Sequence, residues 1–331
     1  GLVLASYPSY QTLQILYGYW GFTSVFLFWG AMIKATRLWG GDNNQGKAFG
    51  FLDGGRGIVA ASMGSIGVFV FTIVLTSDIE SASVLERQEA FRYVILLSSF
   101  MVAFIGLLVL IFLRNMEDKN TNFELPLNTL TNIKGVLKNE SIWLLMLIIM
   151  CAYVGYKVTD IYSLYASEVM LYDQIEAAEV GALQLYLRPI VCIAIGLLAD
   201  RTKNMFWIIF GFVTMLIGAL IFSFGIIKPD MNFIFFLSLV ILAVGTYSIR
   251  ALYFAVLKEA NVAFALTGTA VGIISVVGYS PDIFVGPIMG YLLDENPGII
   301  GHQYVYFMLV IFSIIGLIAS IRFARLTKPS G

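Results

Sequence analysis

The stretch "GLLADRTKN", Gly196–Asn204, joins two long apolar runs by a short charged turn. The runs lie at about 177–199 and 204–227, and each has the roughly 20 apolar residues that a helix needs to cross a bilayer. Between them, Asp200 and Arg201 stand where the chain leaves the membrane and returns. Two spans joined by such a turn indicate a polytopic membrane protein and predict further spans on both sides.

The composition agrees with this interpretation. The chain has 331 residues, of which 59% are hydrophobic and 12% are charged, about half the charged fraction of a soluble domain. A formal net charge of −1 gives no reason to expect nucleic acid as a partner. Cys151 and Cys192 both lie in apolar runs, so we predict neither a disulfide framework nor a metal site. No cofactor is expected.

Apolar runs of this length predict nine membrane-spanning helices. The one long polar connection, 115–140, leaves three spans before it and six after it. We therefore divide the chain into residues 1–114, a central loop at 115–140 and residues 141–331. The nine predicted spans lie at about 14–39, 47–76, 91–114, 141–166, 177–199, 204–227, 232–257, 264–292 and 303–325.

The lysines and arginines orient these spans, because cytoplasmic connections carry an excess of positive charge. Most of them fall in alternate connections, and the last group follows the final span. The distribution predicts a cytoplasmic C-terminus, and nine spans then place Gly1 outside. The exceptions on the other side are Arg87, Arg92 and Lys228.

Three predicted spans precede the central loop and six follow it, which suggests a protein of two six-helix halves whose first half is represented here by three helices. Many transporters are built from repeated halves, so a complete first half predicts three more helices before Gly1. An internal echo supports the plan: "MIKATRLWGGDNNQGKAFGFLDGGRG" resembles "SIRALYFAVLKEANVAFALTGTAVG". Each stretch joins a helix ending in Ile-Lys-Ala or Ile-Arg-Ala to a glycine-rich helix through a short polar connection.

The charged turn resembles a signature of the major facilitator superfamily, Gly-x-Leu-x-Asp-Arg, in its second-half copy. Gly196, Asp200 and Arg201 match that signature, although an ordinary positive-inside turn would contain similar residues. The resemblance covers the chain as family helices 4 to 12, nine of an expected twelve. It implies an all-α polytopic bundle, a substrate bound between two halves, and alternating access by a rocker-switch movement.

Two stretches resemble the bacterial sugar-phosphate and organic-anion permeases of that superfamily. They are "NNQGKAFGFLDGGRG" and "NESIWLLMLIIMCAYVGYKVTD". In that group the fifth helix starts at a basic and glycine-containing turn and carries a polar residue about three turns later, where Arg56 stands here. The resemblance does not extend to Lys157, which does not align with the helix 7 cation of organophosphate exchangers. The resemblance therefore does not identify the substrate and gives no support for phosphate specificity.

Ionised side chains inside the predicted spans mark a candidate site. A charge at the bilayer centre costs about 3 kcal/mol, so such residues usually face a partner or a wet cavity. Cations outnumber acids among them, which favours an anionic substrate, because guanidinium groups bind carboxylate and phosphate with two hydrogen bonds. The candidates are Arg56, Lys157, Asp160, Arg188, Arg250 and Asp282, with Asp53 one turn before Arg56.

Arg56 and Arg188 are the first candidates to bind substrate. Each lies about ten residues into its span, which at 1.5 Å per residue corresponds to roughly 15 Å, or mid-depth in the membrane. The two arginines are therefore predicted to hold one anion together. A structural alternative pairs Arg56 with Asp53 and lets Arg188 bind carbonyls that Pro189 leaves free.

Lys157, Tyr153 and Tyr156 are further candidates for contact with the substrate. Lys157 and Asp160 are three residues apart, so they are also able to neutralise each other on one helix face. Asp160 is a candidate proton carrier, because a neighbouring cation favours its ionised form while burial disfavours it.

Five other residues are assigned to coupling, to gating or to the surface. Asp282 lies between two prolines and is either a rival proton carrier or a cap at a helix break. Lys34 and Arg250 either close an inner gate or extend their charged ends to the membrane interface. Asp53 belongs to the same coupling and gating group. His302, the single histidine, is predicted to be a surface residue in an outer loop.

These features predict a secondary active transporter, not an enzyme. No Gly-x-x-x-x-Gly-Lys-Ser/Thr loop is present, which argues against an ATP-driven pump. We expect a monomer in a bacterial inner membrane that moves a small organic anion, by symport with protons or by exchange with a counter-anion. The alternatives are a channel and a transport-incompetent sensor or receptor of permease ancestry.

Overall fold

The structure is a computed structural model that describes residues 1–75, 82–112 and 129–327. Regular structure within these ranges is helical throughout, and no strand occurs in them, which confirms the predicted all-α class. The α-helices are α1 Leu2–Ala5, α2 Tyr10–Phe22, α3 Gly30–Gly40, α4 Gln45–Val74, α5 Val84–Phe112, α6 Thr129–Leu137, α7 Glu140–Val158, α8 Tyr162–Glu168, α9 Gln174–Asp200, α10 Asn204–Ser223, α11 Asn232–Leu252, α12 Thr267–Gly278, α13 Pro281–Glu295 and α14 Ile299–Leu326.

Eight helical stretches in the described ranges are long and apolar enough to cross a membrane. They coincide with eight of the nine predicted spans. The remaining predicted span, 14–39, falls on α2, a π-helical segment at Thr23–Trp29, and α3. Most of the predicted central loop, 115–140, lies outside the described residues, and α6 occupies its later part.

The chain forms two compact units. The first consists of Gly1–Ser24 and Val59–Leu125 and contains α1, α2, the later part of α4, and α5. Here α1 packs against α5, and Nε of Arg92 donates a hydrogen bond to the carbonyl of Ala5 at 3.0 Å.

The second unit consists of Val25–Ile58 and Pro126–Gly331 and contains every candidate site residue. Its core forms where α10 packs against α11 and α14, and where α14 packs against α7. Large aromatic side chains such as Phe212 and Phe235 are fully buried there. The unit therefore provides a rigid frame for the charged side chains described below.

Glycines bring the first part of α4 against α9. Gly46, Gly50 and Gly54 recur every four residues and share one face of α4. A Cβ atom at Gly50 would lie 2.6 Å from the carbonyl oxygen of Cys192, and one at Gly196 would lie 2.9 Å from Cα of Gly50. No side chain fits at these positions, and such small residues let membrane helices approach closely. The contact places the next turn of α4 beside α9.

Two spans are interrupted close to the candidate residues. α7 ends at Val158 and passes through a 3₁₀ turn, Thr159–Ile161, into α8. α12 ends at Gly278, and Pro281 then starts α13 at its first position, where the missing N–H of proline costs nothing. In contrast, α9 continues through Pro189 without ending.

The position of His302 corrects the sequence prediction. α14 begins at Ile299, four residues earlier than the predicted span, so His302 lies in the first turn of a helix and not in an outer loop. Its side chain is fully buried, and its Nε2 atom lies 2.9 Å from Oε2 of Glu168. The prediction was wrong because the small and apolar residues before His302 continue the helix back to Gly298, where a φ of 75° ends it.

Candidate functional site

Asp53 is the centre of the charged cluster in the second unit. Arg188 donates to both of its carboxylate oxygens, from Nη2 at 2.8 Å and from Nε at 3.3 Å. Arg56 donates from Nη1 at 3.2 Å, and Nη2 of Arg250 lies 3.6 Å from the same carboxylate. One carboxylate thus faces three guanidinium groups, which leaves two positive charges in excess. Asp53, Arg188 and Arg250 are all buried.

Arg250 keeps unused hydrogen-bonding capacity. Its Nε and Nη1 atoms are buried and have no hydrogen-bond partner among the described residues. The guanidinium instead lies over aromatic rings, with Cζ 3.9 Å from the ring centre of Tyr156 and 5.6 Å from that of Tyr153. Ring faces stabilise a cation but accept no conventional hydrogen bond from it. The contacts with the two rings therefore leave these buried donors unused.

Arg56 is the accessible member of the cluster, with 39% of its side chain exposed. Its guanidinium lies over the ring of Trp29 at 4.7 Å. Trp29 ends the π-helical segment and packs edge-on against Tyr279 at 5.7 Å. π-helical turns are rare and often occur at functional sites. Here the segment supplies the ring that supports the exposed guanidinium.

A second charged group lies at the breaks between α7 and α8 and between α12 and α13. Nζ of Lys157 lies 2.7 Å from Asp160 and 3.8 Å from Asp282. The hydroxyl of Tyr153 donates to Oδ2 of Asp282 at 3.0 Å. Two carboxylates around one lysine give this group one negative charge in excess. Tyr153 links it to the arginine cluster, because the same ring borders Arg250.

The charged turn at the end of α9, which contains Asp200 and Arg201, caps the N-terminus of α4. Oδ1 of Asp200 accepts a hydrogen bond from the backbone N–H of Gly46 at 2.7 Å, and Oδ2 accepts one from the N–H of Lys47 at 2.8 Å. A carboxylate at a helix N-terminus satisfies backbone donors that have no partner within the helix, and it is favoured by the helix dipole. Gly196 packs next to this contact, whereas Arg201 is exposed.

Around this end of α4, the two connections that precede the glycine-rich helices also meet. Arg37 donates to the hydroxyl of Thr267 at 2.8 Å and to the carbonyl of Val262 at 2.9 Å. Lys258 pairs with Asp42, and this hydrogen bond lowers the pKa of the Asp42 carboxyl. The two stretches of the internal echo are therefore in contact through polar groups.

Lys34 and Glu259 complete this end of the unit. Nζ of Lys34 lies over the ring of Phe264 at 5.5 Å. Glu259 accepts a hydrogen bond from Nδ2 of Asn204 at 3.4 Å, and burial raises the pKa of its carboxyl.

The structure brings most of the predicted site residues together. Asp53 and the three arginines form one cluster, which adjoins the group around Lys157 through Tyr153 and Tyr156. Arg188 directs its hydrogen bonds to Asp53 and not to carbonyls near Pro189, and Arg250 is too buried to extend to a membrane interface. Lys34, Gly196, Asp200 and Arg201 lie apart from this cluster.

Three contributors were missed by sequence reasoning. They are Trp29, Arg37 and Cys192, none of which was a candidate site residue. The thiol of Cys192 lies 3.4 Å from Oδ2 of Asp53. A helical projection would have found Cys192, because it follows Arg188 by four residues on α9. No group of three histidine, cysteine or acidic side chains suited to a metal ion occurs in the described ranges.

The fold, the capped turn and the buried charges together define a membrane transporter of the major facilitator type. The model of the Major Facilitator Superfamily matches residues 1–281, and the chain belongs to that family, which confirms the resemblance found in the sequence. It is a multi-pass membrane protein.

Its relatives include two proteins of Escherichia coli (strain K12). The inner membrane protein YihN is 24% identical, covering 98% of this chain and 76% of that protein. The inner membrane protein YqcE is 25% identical, covering 93% and 72%. Among solved structures, a bacterial homologue of the iron transporter ferroportin in an outward-facing state has a TM-score of 0.51 at 13% identity. That match covers 73% of this chain and 55% of the other, and it supports the fold alone.

Proposed function

We propose that this protein is a secondary transporter that moves a small organic anion across the membrane by alternating access. The observation that carries the proposal is the cluster of three arginines on Asp53, with two buried donor atoms of Arg250 left without a partner. A buried donor without a partner is costly. A bound carboxylate, phosphate or sulfonate removes that cost and offsets the excess positive charge.

In this proposal Asp53 is an internal counter-ion. It holds the guanidinium groups in place before the substrate arrives, so that little ordering is needed on binding. An incoming anion takes up the free donors of Arg250 and approaches through the exposed guanidinium of Arg56. Arg188, with its two hydrogen bonds to Asp53, keeps that carboxylate in place.

The group around Lys157 suits the other end of the substrate. Carboxylates accept hydrogen bonds from hydroxyl or ammonium groups, and Tyr153 and Tyr156 offer ring faces between the two charged groups. The preferred substrate therefore carries an anionic group at one end and hydrogen-bond donors at the other. Asp160 and Asp282 remain the rival proton carriers for coupling, and exchange with a counter-anion remains the alternative.

The contacts around Asp200 fit an inner gate in its closed form. The capped start of α4, the Asp42–Lys258 pair and the Arg37 contacts all lie at one end of the unit, where positive charge predicts the cytoplasm. This assignment places the C-terminus inside. The names of the two Escherichia coli relatives support an inner membrane, and the division at residues 115–140 into two halves, like the monomeric state, remains a prediction.

Anion binding followed by uptake tests the proposal. The purified protein is first screened by thermal unfolding with a sugar phosphate, a hexuronate, an organic sulfonate and a neutral hexose. The best stabilising anion is then radiolabelled and offered to proteoliposomes. We expect saturable uptake, lost in Arg250→Gln and unchanged in Arg325→Gln, a control arginine exposed on α14. Binding without uptake would favour a sensor, unsaturable flux a channel, and equal stabilisation by the neutral hexose would contradict the anion site.

A further inference from the structure

A column of polar aromatic side chains crosses the core of the second unit away from the candidate site. Tyr162, Tyr165 and Glu168 are spaced three residues apart on α8, and His302 and Tyr306 are four apart on α14. These spacings place each set on one face of its helix. We call these five residues the Tyr-His column.

Most polar atoms of the column have no hydrogen-bond partner among the described residues. They are the hydroxyls of Tyr162, Tyr165 and Tyr306 and the Nδ1 atom of His302. All four side chains are at most 2% exposed. Buried polar atoms nearly always have a partner, and a group of exceptions calls for an explanation such as ordered water. Four of them in one cluster indicate a site and not isolated packing defects.

The column is continuous from Glu168 to the last tyrosine. Oε2 of Glu168 lies 2.9 Å from Nε2 of His302. The ring of His302 meets that of Tyr165 edge-on at 5.0 Å, and Tyr165 meets Tyr306 at 5.9 Å. Tyr162 lies one turn before Tyr165 on the same face of α8 and is buried.

The column also reaches towards the arginine cluster. Tyr247 on α11 is also buried, and its backbone carbonyl lies 3.6 Å from the thiol of Cys192, which is 3.4 Å from Oδ2 of Asp53. At the other end, Glu168 has 40% of its side chain exposed. Polar groups therefore extend from an exposed carboxylate to the neighbourhood of the buried charges, at the end of α9 opposite to Asp200.

We propose that the Tyr-His column is a buried binding site for a proton and for the ordered water molecules that carry it. With Glu168 ionised, the Nε2–H group of His302 donates to the carboxylate, and Nδ1 keeps its lone pair. A proton that enters binds to Nδ1 and forms an imidazolium paired with the Glu168 carboxylate. No bond other than the N–H bond forms, and the proton returns to solvent when it breaks.

The groups next to His302 define what the site offers to a proton. Glu168 on α8 is the charged group with which His302 interacts among the described residues, and the phenols of Tyr165 and Tyr306 are the titratable groups next to it. The unpartnered hydroxyls provide donors and acceptors for water between them. The site is distinct from Asp160 and Asp282 and does not depend on the identity of the transported anion.

Because His302 is the single histidine in the chain, its ring can be observed without ambiguity. The protein is labelled with ¹⁵N-histidine, reconstituted in lipid and followed by solid-state NMR, with protons as the only ligand. Between about pH 8 and pH 5, the range in which histidines usually titrate, we expect the ring signals to pass reversibly from neutral to cationic. We also expect magnetisation transfer from water to the ring.

Three variants separate the proposal from a purely structural histidine. Glu168→Gln removes the carboxylate that stabilises the imidazolium, so at least tenfold more acid should be needed for the transition. Tyr306→Phe keeps the ring and should weaken the transfer from water, whereas Tyr304→Phe, an exposed residue on the same helix, should change neither. Neutral ring signals in the folded protein throughout that range, or Glu168→Gln and Tyr306→Phe spectra identical to wild type, would overturn the proposal.

Discussion

Nη2 of Arg188 lies 2.8 Å from Oδ1 of Asp53, and both side chains are more than nine-tenths buried. A buried charge pair of this kind adds little net stability, but removing one partner leaves an uncompensated charge in a medium of low polarity. Since Arg56 and Arg250 approach the same carboxylate, Asp53 is the shared counter-ion of three arginines. In the proposed transporter, stability and substrate binding are therefore linked at one residue.

Asp53→Asn should reduce the stability of the folded protein by about 3–5 kcal/mol, the usual effect of removing one partner of a buried ion pair. The measurement is thermal or denaturant-induced unfolding in detergent. Asp282→Asn, at a carboxylate with 53% of its side chain exposed, is the matched control and should cost less than about 1 kcal/mol. The double variant Asp53→Asn with Arg188→Gln should regain part of the loss, and a simple sum of the two single losses would contradict a coupled pair.

Replacing Arg250 or Arg56 by glutamine should weaken binding of the transported anion by about 1.5–3 kcal/mol, the scale of a charged hydrogen bond. Arg188→Gln should act indirectly, because Arg188 holds Asp53 in place. Isothermal titration with the anion identified in the screen measures the effect. Lysine at these positions keeps the charge but not the two-pronged geometry, so it should recover only part of the affinity. Loss of folding with unchanged affinity in the surviving fraction would assign the arginine to structure alone.

Gly50→Ala should disrupt the contact between α4 and α9, because the new methyl group would lie 2.6 Å from the backbone oxygen of Cys192. Overpacking of this kind costs about 1–3 kcal/mol, seen as a lower unfolding temperature and as loss of uptake. Gly55→Ala is the control: no atom lies within 4 Å of its added methyl group, and alanine is the better helix former. Equal behaviour of the two variants would argue against close packing at Gly50.

Asp160→Asn should abolish accumulation driven by a pH gradient and preserve exchange of the anion across the membrane, if Asp160 carries the coupled proton. Exchange does not require the carrier to lose its proton. Both activities are measured in proteoliposomes with and without an imposed gradient. The reverse pattern, with accumulation lost only in Asp282→Asn, would move the role to Asp282, and intact accumulation in both variants would leave Lys157 and Asp160 as a structural pair.

Glu259 should make stability depend on pH in the mildly acidic range. Burial raises the pKa of its carboxyl above the ordinary value of 4.5, so between the two pKa values the folded protein binds more protons than the unfolded chain. Stability therefore falls as pH rises through that window. Glu259→Gln should flatten this dependence of the unfolding temperature, while Glu295→Gln, near the end of α13, should leave it unchanged. A wild-type profile without that fall would exclude the effect.

The helices and the family were predictable from the sequence, because a membrane span needs a long apolar run and the turn at Asp200 has few alternatives. The positions at which membrane-spanning helices are interrupted were harder to predict. The broken helix at Pro281 was foreseen from the proline, but the 3₁₀ turn after Val158 has no comparable signal. His302 was misplaced because hydropathy cannot distinguish the end of a span from a helix that continues beyond it.

Most residues of the charged cluster were candidates from the sequence, but their partners were not predicted. Spacing within one helix suggested the pairs Asp53 with Arg56 and Lys157 with Asp160, and both exist in the structure. The contacts of Asp53 with Arg188 and Arg250 join helices more than 130 residues apart in the chain, and no local pattern encodes such a contact. The glycines of α4 that allow this close contact can be seen in the sequence, but the sequence does not show that they pack against α9.

The shared carboxylate also has an evolutionary consequence. A lineage that changes Asp53 first is left with three arginines facing one another. A lineage that changes one arginine first still has two arginines to neutralise Asp53. The order of substitution is therefore constrained, and drift at the arginines is easier to tolerate than drift at the acid. Among homologues we expect Asp53 to persist while Arg56, Arg188 and Arg250 exchange one at a time, each lost arginine marking a branch with altered substrate preference.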